Sequence, residues 1–338
     1  MIRAIRPRFR DTAARLDPPY GWRTALAVLV VGFCLILSGQ RVELDRFAAL
    51  TGEAILAQLG LAEESQVGRG LGRMIQSLFP IAVEERRELA RLSEIDRENL
   101  PWLARIERVE TIRYELDRQT LQLVPIVETK EYLVEPFGYL LRVLGKMLET
   151  LEIALWATIL SVLLSAPLAI LAAANYTPHR SVYLAARGLV SFLRAIPELV
   201  SALFLVLAFG FGPIAGILAL GLHSAGFLGK FYAEDIEAAD KKPQEALLAL
   251  GASKLRVLRS AVLPQVAPSY VAYTLYILDR NVRMATVVGL VGAGGIGQEL
   301  KGRYDLFEYD HVGTILVVIF VTVFLLDQLS ARLRARLL

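Results

Sequence analysis

The sequence has only one cysteine, Cys34, and it lies inside an apolar run. A single thiol excludes an internal disulfide and provides no thiolate cluster for a metal. The sequence also has no large excess of one sign of charge, because 37 basic residues nearly balance 34 acidic residues for a net charge of +3. This balance does not favour a nucleic-acid-binding protein. No G-x-x-x-x-G-K-[ST] pattern occurs, so the usual loop that cradles nucleotide phosphates is missing.

Apolar residues, in contrast, make up 55% of the 338 residues, and the mean hydropathy is +0.47. One soluble core of this size does not need so many, so a lipid bilayer is indicated. The uncharged stretch 24–40 follows a basic block and would form a helix of ~25 Å, long enough for a first transmembrane span. A cleaved signal peptide shares this pattern, but no small-x-small cleavage site follows.

Charge and hydropathy divide the chain into a basic N-terminus at 1–23, the span at 24–40, a charged insert at 41–135 and a hydrophobic core at 136–338. The insert contains the run Glu84 to Glu88, and its apolar residues Leu92, Ile95, Leu100 and Leu103 have helical spacing. This spacing predicts an extramembrane helical insert. Its carboxylates form no group of acid, base and nucleophile, which argues against catalysis.

The core predicts five more spans, at 153–174, 187–210, from Pro213 to about 230, 260–289 and 311–326. The predicted fold is therefore an all-α polytopic membrane protein with about six transmembrane helices. Basic residues of the N-terminus, the 179–180 loop, 241–259 and the C-terminus fall on one face of this arrangement. The positive-inside rule makes that face cytoplasmic, with both termini inside and the insert outside.

A short segment at 241–264 separates two of the predicted spans, and it reads as two helices joined at a glycine. Pro243 suits a first helical turn, Glu245 suits the positive end of a helix dipole, and Gly251 tolerates the left-handed conformation that ends a helix. A soluble motor protein could bind this rigid segment at 241–264, which we call the knob, and move the attached spans.

This segment resembles the coupling signature of ABC importer permeases, in which Glu-Ala is followed by Gly and then by Leu-Pro. The matching residues are Glu245, Ala246, Gly251, Leu263 and Pro264, whereas Leu247 and Ala261 replace the alanine and isoleucine that are usual. From about Leu148 onward the chain is similar to the phosphonate permease branch, most clearly at 281–289 and 291–297. The methionine branch shares the glycine-rich part, so phosphate, phosphite or methionine are alternative substrates.

The resemblance implies a non-catalytic transport subunit of the bacterial cytoplasmic (inner) membrane, without a metal or cofactor of its own. It also implies three partners within the lipid membrane and on either side of it. These are a cytoplasmic ABC ATPase dimer that binds ATP and Mg, an extracytoplasmic phosphonate-binding protein and a second permease copy, identical or a sister chain. A secondary transporter is the alternative from another class, because intramembrane charges could couple to ions.

Ionisable residues in the spans are candidates for the translocation pathway, because each costs ~2.5 to 3.5 kcal/mol at a helix centre. Arg194 and Glu198 have i, i+4 spacing, as do Asp279 and Arg283, so each pair could form along one helix face. We hypothesise that Arg283 and Arg194 help an oxyanion through while the two carboxylates orient them. The alternative is a pair of structural ion pairs.

Further pathway candidates are polar or glycine residues of the predicted core. Gly292, Gly294 and Gly297 match G-x-G-x-x-G, but they follow a membrane span instead of a strand, which excludes a dinucleotide site. We expect a gate or substrate-contacting loop there, with close helix packing as the alternative. The remaining candidates of this kind are His223, Thr286 and Gly295.

Overall fold

The computed structural model describes residues 21–60, 65–91, 100–101, 103–116 and 123–337. Residues 1–20 of the basic N-terminal segment, and Leu92 and Ile95 of the insert, lie outside these ranges. Helices dominate. The elements are α1 Trp22–Arg41, α2 Leu44–Gln58, α3 Gln66–Leu78, β1 Glu85–Glu88, β2 Arg105–Leu116, β3 Leu123–Glu135, α4 Gly138–Ala172, α5 Arg180–Ala195, α6 Glu198–Phe209, α7 Pro213–Ala238, α8 Lys241–Ala249, α9 Lys254–Val257, α10 Leu263–Gly289, α11 Gly295–Asp305 and α12 Tyr309–Leu337.

The first of two compact units ends at Gln76 and contains α1, α2 and most of α3. Helix α1 confirms the helix predicted at 24–40 and extends slightly beyond it. Its window 24–41 is apolar enough to cross a membrane, and none of that window is buried within the chain. Apolar side chains exposed in this way suit contact with lipid.

The second half of the insert is a sheet, so the prediction of a helical insert is wrong there. Strands β1, β3 and β2 form a three-stranded antiparallel sheet in that order. The long β2–β3 hairpin pairs Arg105 with Val134 at one end and Leu116 with Leu123 at the other. Both strands are rich in Val, Ile, Thr and Tyr, which favour a pleated strand. Charged residues interspersed within each strand obscured this pattern in the sequence.

The segment before β1 joins the sheet to the helical bundle. Leu140 donates its backbone N–H to the carbonyl of Val83, and Ala82 donates to the carbonyl of Asp310. The Arg142 guanidinium also pairs with the Glu85 carboxylate. The sheet is therefore fixed at the end of the bundle where α4 and α12 begin, which we call the sheet end.

Helices α8 and α9 lie at the opposite end of the bundle, which we call the coupling end. There the backbone N–H of Ala174, just after α4, donates to Glu237 at 2.7 Å near the end of α7. At the sheet end, by contrast, Gly212 before α7 donates to the carbonyl of Gly292 at 3.0 Å. Helices α4 and α7 thus run in the same direction, from the sheet end to the coupling end.

Helices α5 and α6 must return the chain to the sheet end, and they do so as a pair bent by 88°. The span predicted at 187–210 is therefore broken, because Ile196 takes an extended conformation before Pro197. Among the residues that the structure describes, five helices are long and apolar enough to cross a membrane, or six if the bent pair counts as one span. The prediction of an all-α polytopic membrane fold with about six spans is confirmed for the membrane part of the chain, and the sheet belongs to the insert. The spans at α4, α7 and α12 are longer than predicted.

Close packing of the bundle depends on glycines, because the absence of a side chain lets the backbone of another segment approach closely. A methyl group on Gly297 of α11 would lie 2.0 Å from the carbonyl oxygen of Thr286, and one on Gly289 would lie 2.6 Å from that of Gly294. Backbone atoms cannot move aside as a flexible side chain can. Helices α10 and α11 therefore approach as closely as small residues allow.

We predict that Gly297→Ala destabilises the protein by about 1 to 3 kcal/mol, because the added methyl group overlaps a backbone oxygen. Gly302→Ala is the matched control on the same helix, since nothing lies within 4 Å of its added methyl group. Thermal unfolding of both variants in lipid nanodiscs measures the difference. Equal melting temperatures for the two variants would show that the packing is looser than described.

Candidate functional site

The break between α5 and α6 leaves a carbonyl group without its helical partner in the middle of a span. That carbonyl belongs to Ile196, and it lies 3.0 Å from Nδ1 of His223 on α7. A carbonyl only accepts a hydrogen bond, so Nδ1 carries the proton and donates it. The histidine of one span thereby satisfies the broken backbone of another.

Three ionisable side chains meet beside this break. Glu198 begins α6, His223 lies on α7 and Arg280 lies on α10, and all three contact one another. Nη2 of Arg280 donates to Oε1 of Glu198, and it lies 3.1 Å from Nε2 of His223. Glu198 and His223 are buried, with exposed fractions of 9% and 6%. This cluster joins the broken span to both neighbouring helices.

A neutral imidazole with its proton on Nδ1 accounts for the hydrogen bonds of the ring to the Ile196 carbonyl and to Arg280. The Nη2 group of Arg280 has two hydrogens, one for Glu198 and one for the lone pair of Nε2 of His223. The Nε2 atom also lies 3.1 Å from Oε1 of Glu198, where the arginine bridges the two acceptors. The buried cluster then holds one positive and one negative charge.

The predicted pairing of Arg194 with Glu198 along one helix face is wrong. The break rotates α6 away from α5, so Glu198 pairs with Arg280 instead. The Arg194 guanidinium lies over the ring of Phe227, 5.6 Å from its centroid. Among the described residues Arg194 forms no ion pair, and its buried Nε atom has no hydrogen-bond partner.

The predicted pairing of Asp279 with Arg283 is confirmed. Nη2 of Arg283 donates to Oδ2 of Asp279 at 2.7 Å, one turn apart on α10. The carboxylate side chain is 8% exposed, whereas the arginine side chain is 47% exposed. The positive group of this pair therefore faces outward from the single chain, toward a neighbouring subunit, a cavity or lipid.

A buried chain of neutral polar groups fixes α10 next to these charges. Ser224 of α7 donates to Oδ1 of Asn281 at 2.9 Å, and Nδ2 of Asn281 donates to Thr158 of α4 at 2.9 Å. Thr158 in turn donates to the carbonyl of Ala154 at 2.7 Å. Asn281 is fully buried and adjoins Arg280 in sequence, so this chain sets the height and rotation at which Arg280 meets α6 and α7.

The predicted pair of short helices at the coupling end is present as α8 and α9. Gly251 ends α8 with φ +81°, and Ala252 donates back to the carbonyl of Leu247. Asp240 caps the start of α8 through a 3.0 Å bond from the N–H of Lys242. Leu250 is 84% exposed, so an apolar side chain protrudes at the turn.

The second short helix continues directly into α10 through a π-helical segment, Leu258–Val262, that ends just before Leu263 and Pro264. The knob and Arg280 are therefore joined by continuous helical backbone. On the other side, the Tyr176 hydroxyl donates to Gln244 of α8 at 3.0 Å. Burial raises the pKa of Tyr176, which keeps this hydroxyl a donor. Glu245 lines a cavity of about 260 Å³ between these parts.

The glycine-rich segment lies at the sheet end and is buried within the single chain. Gly292, Gly294 and Gly295 all have positive φ, which explains why the sequence uses glycine there. Oε1 of Glu149 on α4 accepts from the N–H of Gly295 at 3.0 Å, and Thr150 accepts from Ile296 at 2.8 Å. These contacts describe close packing around the start of α11. A gating role for the segment stays a prediction.

Thr286 has a modest local role, since its hydroxyl donates weakly to the carbonyl of Val282 at 3.4 Å within α10. Its own carbonyl is the group that Gly297 accommodates. The described residues include no group of three or more His, Cys, Asp or Glu side chains that could hold a metal ion.

Residues 165–337, which include the knob and the charged cluster, match the family model of the binding-protein-dependent transport system inner membrane component. The chain belongs to this family. It is thus a permease of a transport system, built as a multi-pass membrane protein.

Two relatives are similar to this permease. One, named "Putative phosphite transport system permease protein HtxE", from Stutzerimonas stutzeri, is 57% identical over 77% of this chain and 100% of its own length. The other, from Escherichia coli K12, is named "Putative cryptic phosphonate transport system permease protein PhnE2". It is 48% identical over 35% of this chain and 97% of its own length.

Solved structures confirm the fold. The permease matches a chain of the inward-facing MetNI methionine ABC transporter with a TM-score of 0.52, over 58% of this chain and 96% of that chain. The identity is 20%, so this likeness concerns the architecture alone. The fold is that of ABC importer permeases.

Sequence reasoning missed Arg280 and Asn281 as site residues, although both lie beside the predicted pair Asp279 and Arg283. Helical geometry gives the missing signal, because neighbouring residues point about 100° apart and so reach different helices. Arg280 and Asn281 face α7 and α4, while Arg283 faces away. An intramembrane arginine and asparagine adjacent to an i, i+4 pair therefore indicated a second, inward-facing polar surface.

We predict that the hydrogen bond between Asn281 and Thr158 contributes about 0.6 kcal/mol, with about 1.7 kcal/mol as the upper limit for such bonds in membranes. A double-mutant cycle with Asn281→Ala and Thr158→Ala measures this coupling in the free energy of unfolding. The matched control replaces Thr158→Ala by Thr286→Ala, whose hydroxyl bonds only within its own helix, and should give no coupling. Equal coupling energies in the two cycles would contradict the described contact.

Proposed function

We propose that this permease carries a phosphorus oxyanion, phosphite or a phosphonate, into the cytoplasm. The observation that supports this substrate class is the charge balance where the broken span meets α7 and α10. Arg280 pairs with Glu198 and Arg283 pairs with Asp279, whereas Arg194 has no ion-pair partner among the described residues. Charge within a bilayer is expensive, so a surplus cation suits a site that an anion visits. The relatives' names point to the same class of solute.

The coupling end supports the proposal that a separate ATPase dimer drives transport. Helices α8 and α9 form a rigid knob with exposed leucines, and the knob leads without a loop into α10. In this mechanism the partner binds ATP and Mg²⁺, its two halves close, and the knobs of two permease copies move together. A cavity between the two permease copies then opens to the other side of the membrane.

The distribution of basic residues supports a cytoplasmic location for the coupling end. Lys241, Lys242 and Lys254 lie there, close to the ends of α7 and α10. By the positive-inside rule, both termini are then cytoplasmic and the β-sheet of the insert is extracytoplasmic. An external phosphonate- or phosphite-binding protein would deliver its solute at the sheet end, where the glycine-rich segment lies.

We predict that proteoliposomes take up labelled phosphite or phosphonate only when they contain this permease, its ATPase and its binding protein, with ATP inside. Glu245→Ala should reduce uptake by at least about tenfold, because the knob loses a charged group at its contact surface. Glu53→Ala, an exposed carboxylate on α2, is the control and should leave uptake unchanged.

Two outcomes of this experiment would contradict the proposal. Uptake driven by an ion gradient without the ATPase would make the protein a secondary transporter, and the knob would then be an ordinary loop. ATP-dependent uptake of methionine, but not of phosphite, phosphonate or phosphate, would keep the importer and reject the substrate class.

We predict that Arg283→Gln lowers phosphonate flux by about tenfold or more, because the substitution removes the outward-facing positive charge that attracts the oxyanion. The change also leaves Asp279 buried without its partner, so a second variant, Asp279→Asn with Arg283→Gln, removes both charges. Flux is measured per folded permease, quantified by size-exclusion chromatography. Normal flux in both variants would assign the pair to helix packing alone.

A further inference from the structure

Two arginines from different helices share one aromatic ring within the membrane bundle. The Arg194 guanidinium, at the end of α5, lies 5.6 Å from the centroid of the Phe227 ring, and that of Arg280, on α10, lies 5.0 Å from it. Phe227 follows His223 by one turn on α7, and their ring centroids are 5.1 Å apart. The ring thus links Arg194 to the cluster of Glu198, His223 and Arg280.

The two arginines differ in how their charges are compensated. Arg280 has the Glu198 carboxylate and the His223 ring as partners. Arg194 has neither a carboxylate nor a hydrogen bond for its buried Nε atom among the described residues. With a neutral imidazole, the group formed by Arg194, Glu198, His223 and Arg280 has a net charge of +1. It lacks one negative charge.

Backbone groups at the break add to this positive potential. Helix α6 has twelve residues, and its first internal hydrogen bond runs from Ser201 N–H to the carbonyl of Pro197. The N–H groups of residues 198–200 precede that bond, and Pro197 provides no side-chain cap. A helix start of this kind favours an anion. At present the Glu198 side chain, tethered to the same helix, is the only carboxylate of this group.

We propose that Arg194 and Arg280 form an intramembrane subsite for the −PO₃ group of the transported phosphite or phosphonate. In this subsite the Glu198 carboxylate competes with the −PO₃ group for Arg280. This inference rests on the proposed function. The oxyanion binds the guanidinium group of Arg194, which has no ion-pair partner among the described residues, and displaces the Glu198 carboxylate from Arg280. On release Glu198 returns to Arg280, which prevents the cation from retaining the solute. Two guanidinium forks suit three oxygens on one phosphorus atom.

The test is equilibrium binding of radiolabelled phosphite to the permease–ATPase complex in nanodiscs, without the binding protein. Arg194→Gln and Arg280→Gln should each weaken binding by about tenfold or more, because each removes a charged hydrogen-bond donor. Glu198→Gln should strengthen binding by about fivefold, since it removes the competitor. Arg194→Lys keeps the charge but loses the fork, so its affinity should fall between Arg194→Gln and the wild type.

Lys301→Gln is the matched control, because it removes one charge from an exposed ion pair on α11 and should leave binding unchanged. Melting temperatures of all variants confirm that they fold. If Glu198→Gln weakens binding as strongly as Arg280→Gln, Glu198 positions Arg280 and does not compete, and the inference is wrong. It is equally wrong if Arg194→Gln binds phosphite normally.

The failure of this inference can be distinguished from failure of the proposed function. Wild-type complex that takes up phosphite with ATP while Arg194→Gln and Arg280→Gln bind phosphite normally retains the function and rejects this subsite. Wild-type complex that transports no phosphorus oxyanion rejects both.

Discussion

A backbone carbonyl within a bilayer needs a hydrogen-bond donor, and the broken span of this permease meets that need with a side chain from another helix. Pro197 prevents Ile196 from adopting the helical conformation, and His223 donates to the carbonyl that this leaves free. The same break turns Glu198 toward α7 and α10. The charged cluster therefore depends on the break, since a continuous helix would carry Glu198 beside Arg194.

The surrounding bundle makes the cluster possible by fixing three helices at close range. Gly226 lets α7 approach the α5 backbone, where an added methyl group would lie 2.9 Å from the carbonyl of Val190. Asn281 holds α10 between α4 and α7 through bonds to Thr158 and Ser224. Helix α9 continues into α10, so the knob and Arg280 lie on continuous helical backbone. The geometry thus joins the coupling end to the charged cluster by one element.

Sequence patterns were informative where the signal is local. The apolar runs predicted the spans, and the spacing from Glu245 to Pro264 predicted α8, α9 and the turn at Gly251. They failed where the partner is distant in sequence. The pairing of β2 with β3 aligns charged and β-branched residues that helical spacing alone does not reveal, and the i, i+4 rule for Arg194 and Glu198 assumed an unbroken helix. The partner of Glu198 lies 82 residues away.

The exchange of charges within the cluster tests this account most directly. Glu198→Arg alone should reduce the amount of folded permease in the membrane, because it places two arginines in contact in a buried site. The account predicts that adding Arg280→Glu restores folded permease, measured by size-exclusion chromatography of a fluorescent fusion, whereas adding Arg194→Glu does not. Restoration by Arg194→Glu and not by Arg280→Glu would contradict it, because Glu198 would then pair along a continuous helix.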